Sequence, residues 1–179
     1  MDLGVISVRY ARALLKGALA EKQEDELYKE MQILYKSYLE VPELRTTIDN
    51  PMLAKEKKQK VLEIIACGDD ITNLTKRFID LVLKKDREFA LQFMAASYIT
   101  LYRKFKNITR GKLITAADVS LETVEKMKRM VENRTRGTVV FNTEVDKELI
   151  GGFVLEYDDY RMNASVKSKL RRILSDLKK

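Results

Sequence analysis

The sequence predicts a two-domain α+β protein, with an N-terminal antiparallel bundle of six helices over residues 1–105 and a small α/β domain over residues 106–179. Three observations predict it. From Leu3 to Phe105 apolar residues recur at steps of three and four, the spacing that keeps side chains on one face of a helix. The helical period breaks at KNITRGK, on Asn107, Thr109 and Gly111. Beyond the break, LITAADV and GTVVFNTEV bring β-branched alternation, as strands with one buried face require. With 179 residues, 45% apolar and 34% charged, the chain can bury a core of its own and is expected to fold.

The first helix is expected over about Gly4 to Leu19. EDELYKEMQILYKSYLEV makes the second, with Leu27, Met31, Leu34 and Tyr38 in one stripe. It must stop before Pro42, which has no N–H to continue the ladder. PELRTTIDNP reads as a short helical turn or loop closed by Pro51. AKEKKQKVLEIIA then makes a helix ending at Cys67-Gly68, DITNLTKRFIDLVLKK the next and REFALQFMAASYITLYRKF the last of the six. Short connections between helices of this kind imply an antiparallel bundle. In the second half Ser120 is placed to cap the helix SLETVEKMKRMVENR. FVLEY and YRM form two strands joined by the turn Asp158-Asp159, and a basic helix starts near Ser165. No fixed-period repeat and no low-complexity tract interrupts this order.

Composition excludes much chemistry. The chain has no histidine, hence neither the commonest general base nor the commonest metal ligand, and its single cysteine, Cys67, excludes an internal disulfide or thiolate cluster. Cys67 is read as a small apolar residue at a helix end. In IGGFVLEYDDYRMNASVKSKL, residues 150–170, Gly151-Gly152 invites comparison with a phosphate cradle. Such cradles lead into a helix N-terminus, whereas this pair leads into a strand, so the glycines are read as backbone freedom. Asp158-Asp159 is read as a solvated turn, and no serine or threonine has a lysine at a spacing that recommends it as a nucleophile. No catalytic residue, cofactor or metal is expected. No apolar run spans a bilayer, and Arg9, Arg12 and Lys16 cut the N-terminal segment without a leader cleavage pattern, which predicts a cytosolic protein.

Charge and apolar width are more informative. Residues 106–179 carry 16 Lys and Arg against 11 Asp and Glu, a net +5 out of the chain's +7. That excess suits an acidic partner, a nucleic acid or an anionic surface, or else is only a solvated helix face. The first helix has two apolar faces, Leu3, Ile6, Tyr10, Ala13, Leu14 and Gly17 on one and Val5, Val8, Ala11, Leu15 and Leu19 on the other. In the fifth, Leu74, Phe78, Leu81 and Val82 form a stripe that Ile71, Ile79 and Leu83 widen. Such width fits a fully surrounded helix or a groove for a partner helix.

YARAL at residues 10–14, NPMLAKEKKQKVL at 50–62, RFIDLVLKKDRE and above all IGGFVLEYDDYRMNASVKSKLRRIL resemble the delta subunit family of bacterial F-type ATP synthases, whose mitochondrial relative is the oligomycin-sensitivity-conferring protein. The resemblance spans nearly the whole chain in the right order. In the last block Asn163 and Ala164 stand where the family has Asp-Gly, while Ser165, Val166, Lys167, Lys169 and Leu170 keep its pattern. It implies a six-helix bundle and a smaller α/β domain in a connector without chemistry, which ties the catalytic head to the peripheral stalk at the cytoplasmic face of the inner membrane, membrane-associated only through the complex. It further implies that Tyr10, Ala13, Leu14, Phe78 and Leu81 line a groove for the N-terminal helix of an alpha subunit. The C-terminal domain would meet the b subunits, with Lys167, Lys169, Arg171 and Arg172 offered to acidic stalk residues. A basic nucleic-acid-binding module is the alternative; against it, Phe141, Phe153, Tyr157 and Tyr160 stand where strands need them, without a base-stacking pattern.

Overall fold

A computed structural model describes residues 3–66, 70–135, 137–157 and 160–177, with the side chain of Arg134 left out. The Cys67-Gly68 helix end, the Asp158-Asp159 turn and the two terminal lysines lie outside the described residues. The chain divides into two compact units, Met1–Tyr102 and Arg103–Lys179.

The first unit holds α1 (Leu3–Glu21), α2 (Glu24–Glu40), α3 (Pro42–Asp49), α4 (Lys55–Ala66), α5 (Asn73–Lys84) and all but the last turn of α6 (Leu91–Phe105), that helix preceded by a 3-10 turn, Glu88–Ala90. The expected stripe of α2 is its core face, with Leu27, Met31, Leu34 and Tyr38 all buried. PELRTTIDNP is more than a turn. Pro42 sits in the first helical turn, where its missing N–H costs nothing, and Leu44 and Ile48 bury one side of a full eight-residue helix. On α1 the buried line is Ile6, Ser7, Ala11, Leu14 and Ala18. It runs between the two apolar faces expected there, because small residues let the helix approach its neighbours closely. Of the remaining large apolar side chains, Leu3 and Tyr10 on one face and Val5, Val8, Leu15 and Leu19 on the other are left at the edges of that contact.

The second unit contains β1 (Ile108–Thr115), α7 (Leu121–Thr135), β2 (Thr138–Val145), a 3-10 turn (Lys147–Leu149), β3 (Phe153–Tyr157), β4 (Tyr160–Asn163) and α8 (Val166–Leu177). The sheet order is β2-β1-β3-β4, with β1 and β2 parallel and the other two pairs antiparallel. A parallel pair needs a crossover, and α7 supplies it. Its start is capped as expected: the Thr123 N–H donates to Ser120 Oγ at 3.4 Å. Leu113, Val131, Val139, Leu155 and Tyr157 form the buried core.

KNITRGK, read as the break between domains, also contains the start of β1. Its residues pair on both sides: Gly111 faces Phe141 on β2 and Tyr157 on β3. A Cβ at Gly111 would fall 2.4 Å from the Phe141 ring, so what looked like a breaker is a residue that lets a neighbouring ring lie across the strand. Gly152 has φ of 76°, and a Cβ there would lie 2.3 Å from the Ala164 carbonyl oxygen. The double glycine thus serves the close passage of two backbones at the mouth of the β3–β4 hairpin. Asn163 does the capping work at the next corner. Its Oδ1 accepts from the Ser165 N–H at 3.0 Å and from Ser165 Oγ at 2.7 Å, and Ser165 Oγ accepts from the Ser168 N–H at 3.2 Å to open α8. An amide oxygen takes the acceptor part a carboxylate would play.

Candidate partner-binding surfaces

α1 and α5 pack side by side, and between them runs a groove of about 380 Å³. From α1 it is lined by Arg9, Tyr10, Ala13 and Leu14, and from α5 by Leu74, Arg77, Phe78 and Leu81. All five residues expected to face a partner helix, Tyr10, Ala13, Leu14, Phe78 and Leu81, are therefore brought together. Leu14 and Phe78 are the buried floor, 5% and 6% exposed, whereas Leu81 stands on the rim at 45%. The Tyr10 ring meets Phe78 edge-on, centroids 6.5 Å apart, an arrangement favoured by the ring quadrupoles. Arg87 holds Tyr10 in place, donating from Nη1 to its hydroxyl at 3.0 Å while its guanidinium lies 5.4 Å from the ring centroid.

The position of α5 is set from α2. The buried Glu30 carboxylate accepts from the Thr72 N–H at 2.7 Å, from Thr72 Oγ1 at 2.9 Å and from Thr75 Oγ1. Thr72 is the N-cap of α5, its side chain accepting from the Thr75 N–H. A negative charge at this end complements the helix dipole as well as satisfying free N–H groups. Glu30, Arg87, Arg9 and Arg77 were not picked out from sequence. Glu30 carries no local signal, since its partners lie more than forty residues on. Arg9 and Arg77 did carry one, because each precedes a groove residue, Ala13 and Leu81, by one helical turn.

A second, smaller groove of about 290 Å³ runs along the other flank of α1, lined by Gly4, Ser7 and Val8 and by Phe93, Ala96, Ser97, Thr100 and Leu101 of α6. Neither groove presents the grouped acids or nucleophile-base pair of a reaction centre, and what both offer is mainly apolar surface between two helices. Apolar grooves of this size are of a kind that can receive an amphipathic helix.

On α8, Lys167 Nζ donates to Glu148 Oε2 at 2.8 Å, and this bond holds the Glu148 carboxyl below its ordinary range. Lys169, Arg171 and Arg172 are exposed. The four cations do not form a single patch, because their spacing puts Lys167 and Arg171 on one side of the helix and Lys169 and Arg172 on the other. Between them lies an uncovered apolar stripe, Leu170, Ile173, Leu174 and Leu177, each 47% or more exposed, on a helix with no buried residue. The stripe was legible from the three- and four-residue spacing in KLRRILSDL, but the charge drew attention first.

Residues 6–177 match the family model described as ATP synthase delta (OSCP) subunit. The chain is 46% identical over 173 residues to an ATP synthase subunit delta of Phocaeicola vulgatus, covering 97% of this chain and 94% of that one. It is 41% identical over 177 residues to the subunit delta of Parabacteroides distasonis, covering 99% and 98%. Among solved structures it resembles a chain from the cryo-EM structure of the Toxoplasma gondii mitochondrial ATP synthase hexamer, with a TM-score of 0.68 at 21% identity over 97% of both chains.

Proposed function

The chain belongs to the ATP synthase delta (OSCP) subunit family, a structural and non-catalytic stator component of the F-type ATP synthase, and we propose that it fills that role through two docking surfaces. The α1–α5 groove receives the N-terminal helix of an alpha subunit of the catalytic head, and α8 with its apolar stripe faces the b subunits of the peripheral stalk. The six helices form one antiparallel bundle for the head, and the sheet unit serves the stalk. No described helix is long and apolar enough to cross a membrane. As part of a membrane-associated complex the chain is peripheral, and its place in this reading is the cytoplasmic face of the inner membrane.

The mechanism is mechanical. Proton flow turns the rotor, rotation drives conformational change in the head, and a head free to follow the rotor would make no ATP. Holding it requires buried contact, and a helix laid in a groove supplies contact without chemistry. The observation that carries this reading is the convergence of Tyr10, Ala13, Leu14, Phe78 and Leu81 on one cavity.

Titrating the full chain with a labelled peptide of the alpha-subunit N-terminus tests it. Leu81→Asp, on the exposed rim, and Tyr10→Asp are expected to keep their helical circular dichroism while losing about 2 kcal/mol of binding, roughly thirtyfold. Wild-type affinity in both variants overturns the assignment.

A further inference from the structure

The charge around the α1–α5 groove carries the argument beyond an apolar helix. The floor is uncharged, and each wall contributes one arginine, Arg9 from α1 and Arg77 from α5. Both are exposed. Arg77 reaches Glu21 only at 3.8 Å, with 75% of its side chain accessible, and Arg9 has no acidic partner among the described residues. Arg87, by contrast, is engaged with Tyr10. No carboxylate lines the groove.

Resting on the reading of this groove as a helix-binding site, we infer that it selects its occupant by charge: it takes an amphipathic helix whose apolar stripe is flanked on both sides by acidic residues, one flank meeting Arg9 and the other Arg77. A guanidinium fork on each wall can engage a carboxylate while its stem covers the edge of the apolar contact. A basic-flanked helix of equal hydrophobicity is repelled from both walls.

Two synthetic peptides with the same apolar stripe, one flanked by glutamates and one by lysines, test this by fluorescence anisotropy against the full chain. The glutamate peptide is expected to bind about tenfold tighter at low salt, and the preference to shrink near 1 M salt, where screening acts within about 3 Å. In Arg9→Glu/Arg77→Glu, changes at two exposed positions that leave the helices folded, the preference is expected to invert. Equal affinity for both peptides, or a preference that the double variant leaves unchanged, overturns the charge selection. If Leu81→Asp still weakens both peptides in that case, the groove itself stands. Binding indifferent to Leu81→Asp, or no binding of either peptide, overturns the groove reading along with it.

Discussion

Lys58 is one of four lysines in the run KEKKQK, and it alone is buried: its ammonium lies 2.8 Å from Glu88 Oε1, with side-chain exposures of 3% and 14%. The pair ties α4 to the 3-10 turn that opens α6. Taking two charges out of water is costly, so the net contribution of such a pair is small, but stranding one partner costs about 3 to 5 kcal/mol. Glu88→Leu is therefore expected to destabilise the chain by roughly that amount in urea denaturation. The double change Lys58→Met/Glu88→Leu should cost less than Glu88→Leu alone. Strict additivity of the two single changes would show that the charges are not coupled. Nothing local distinguishes Lys58 from Lys55, Lys57 or Lys60, since its partner is thirty residues away. Pairings of this kind, Glu30 with Thr72 among them, were beyond a reading that works by spacing along one helix. Spacing alone put Tyr10, Ala13 and Leu14 on one face of α1, and only the resemblance made that face a groove. Which of them would be floor and which rim depended on the neighbouring helix.

At the scale of elements, the strongest sequence signals were long and periodic, and α2 and α5 appear where their apolar stripes put them. β1 was legible only in its second half. A strand that begins Ile-Thr-Arg-Gly is stabilised by its partners on both sides, and such pairing outweighs local propensity. α8 shows another case, an element whose existence was plain and whose exposed apolar stripe was not singled out. The resemblance implied the stalk contact and four cations were offered to it, yet Lys167 is already bonded to Glu148, and Leu170, Ile173, Leu174 and Leu177 stand open beside the other three. Exposed apolar residues aligned along a helix mark a contact more strongly than solvated lysines do. Ile173→Ser/Leu174→Ser removes no buried side chain, so the melting temperature should change little. In surface plasmon resonance, binding to a C-terminal segment of the b subunit should fall at least tenfold, more than in Lys169→Ala/Arg172→Ala. Unaltered stalk binding in the serine variant would remove α8 from that interface.

At the scale of the whole molecule, the two units differ in how much they bury. The helical unit has a long interior that includes Leu27, Met31, Leu34, Ile48, Leu62, Ile79, Leu91, Met94 and Tyr98, each of them fully buried. The sheet unit closes over a cluster of five buried residues with a fringe of half-buried ones, and Leu149 and Val154 are buried beside it. Stability scales with buried apolar area, and small cores are marginal. The sheet unit should therefore open first, with its β1 and β3 amides exchanging before those of α2. Leu113→Ala, at a position 1% exposed, should cost about 2 to 5 kcal/mol. In calorimetry that loss is expected to fall on the lower of two transitions. Every residue lining the α1–α5 groove lies within Met1–Tyr102, so the same variant should bind the alpha-subunit peptide as the wild type does. One transition that shifts as a whole, with peptide affinity falling alongside it, would mean that the sheet unit supports the groove, and the division of labour between head and stalk would have to be redrawn.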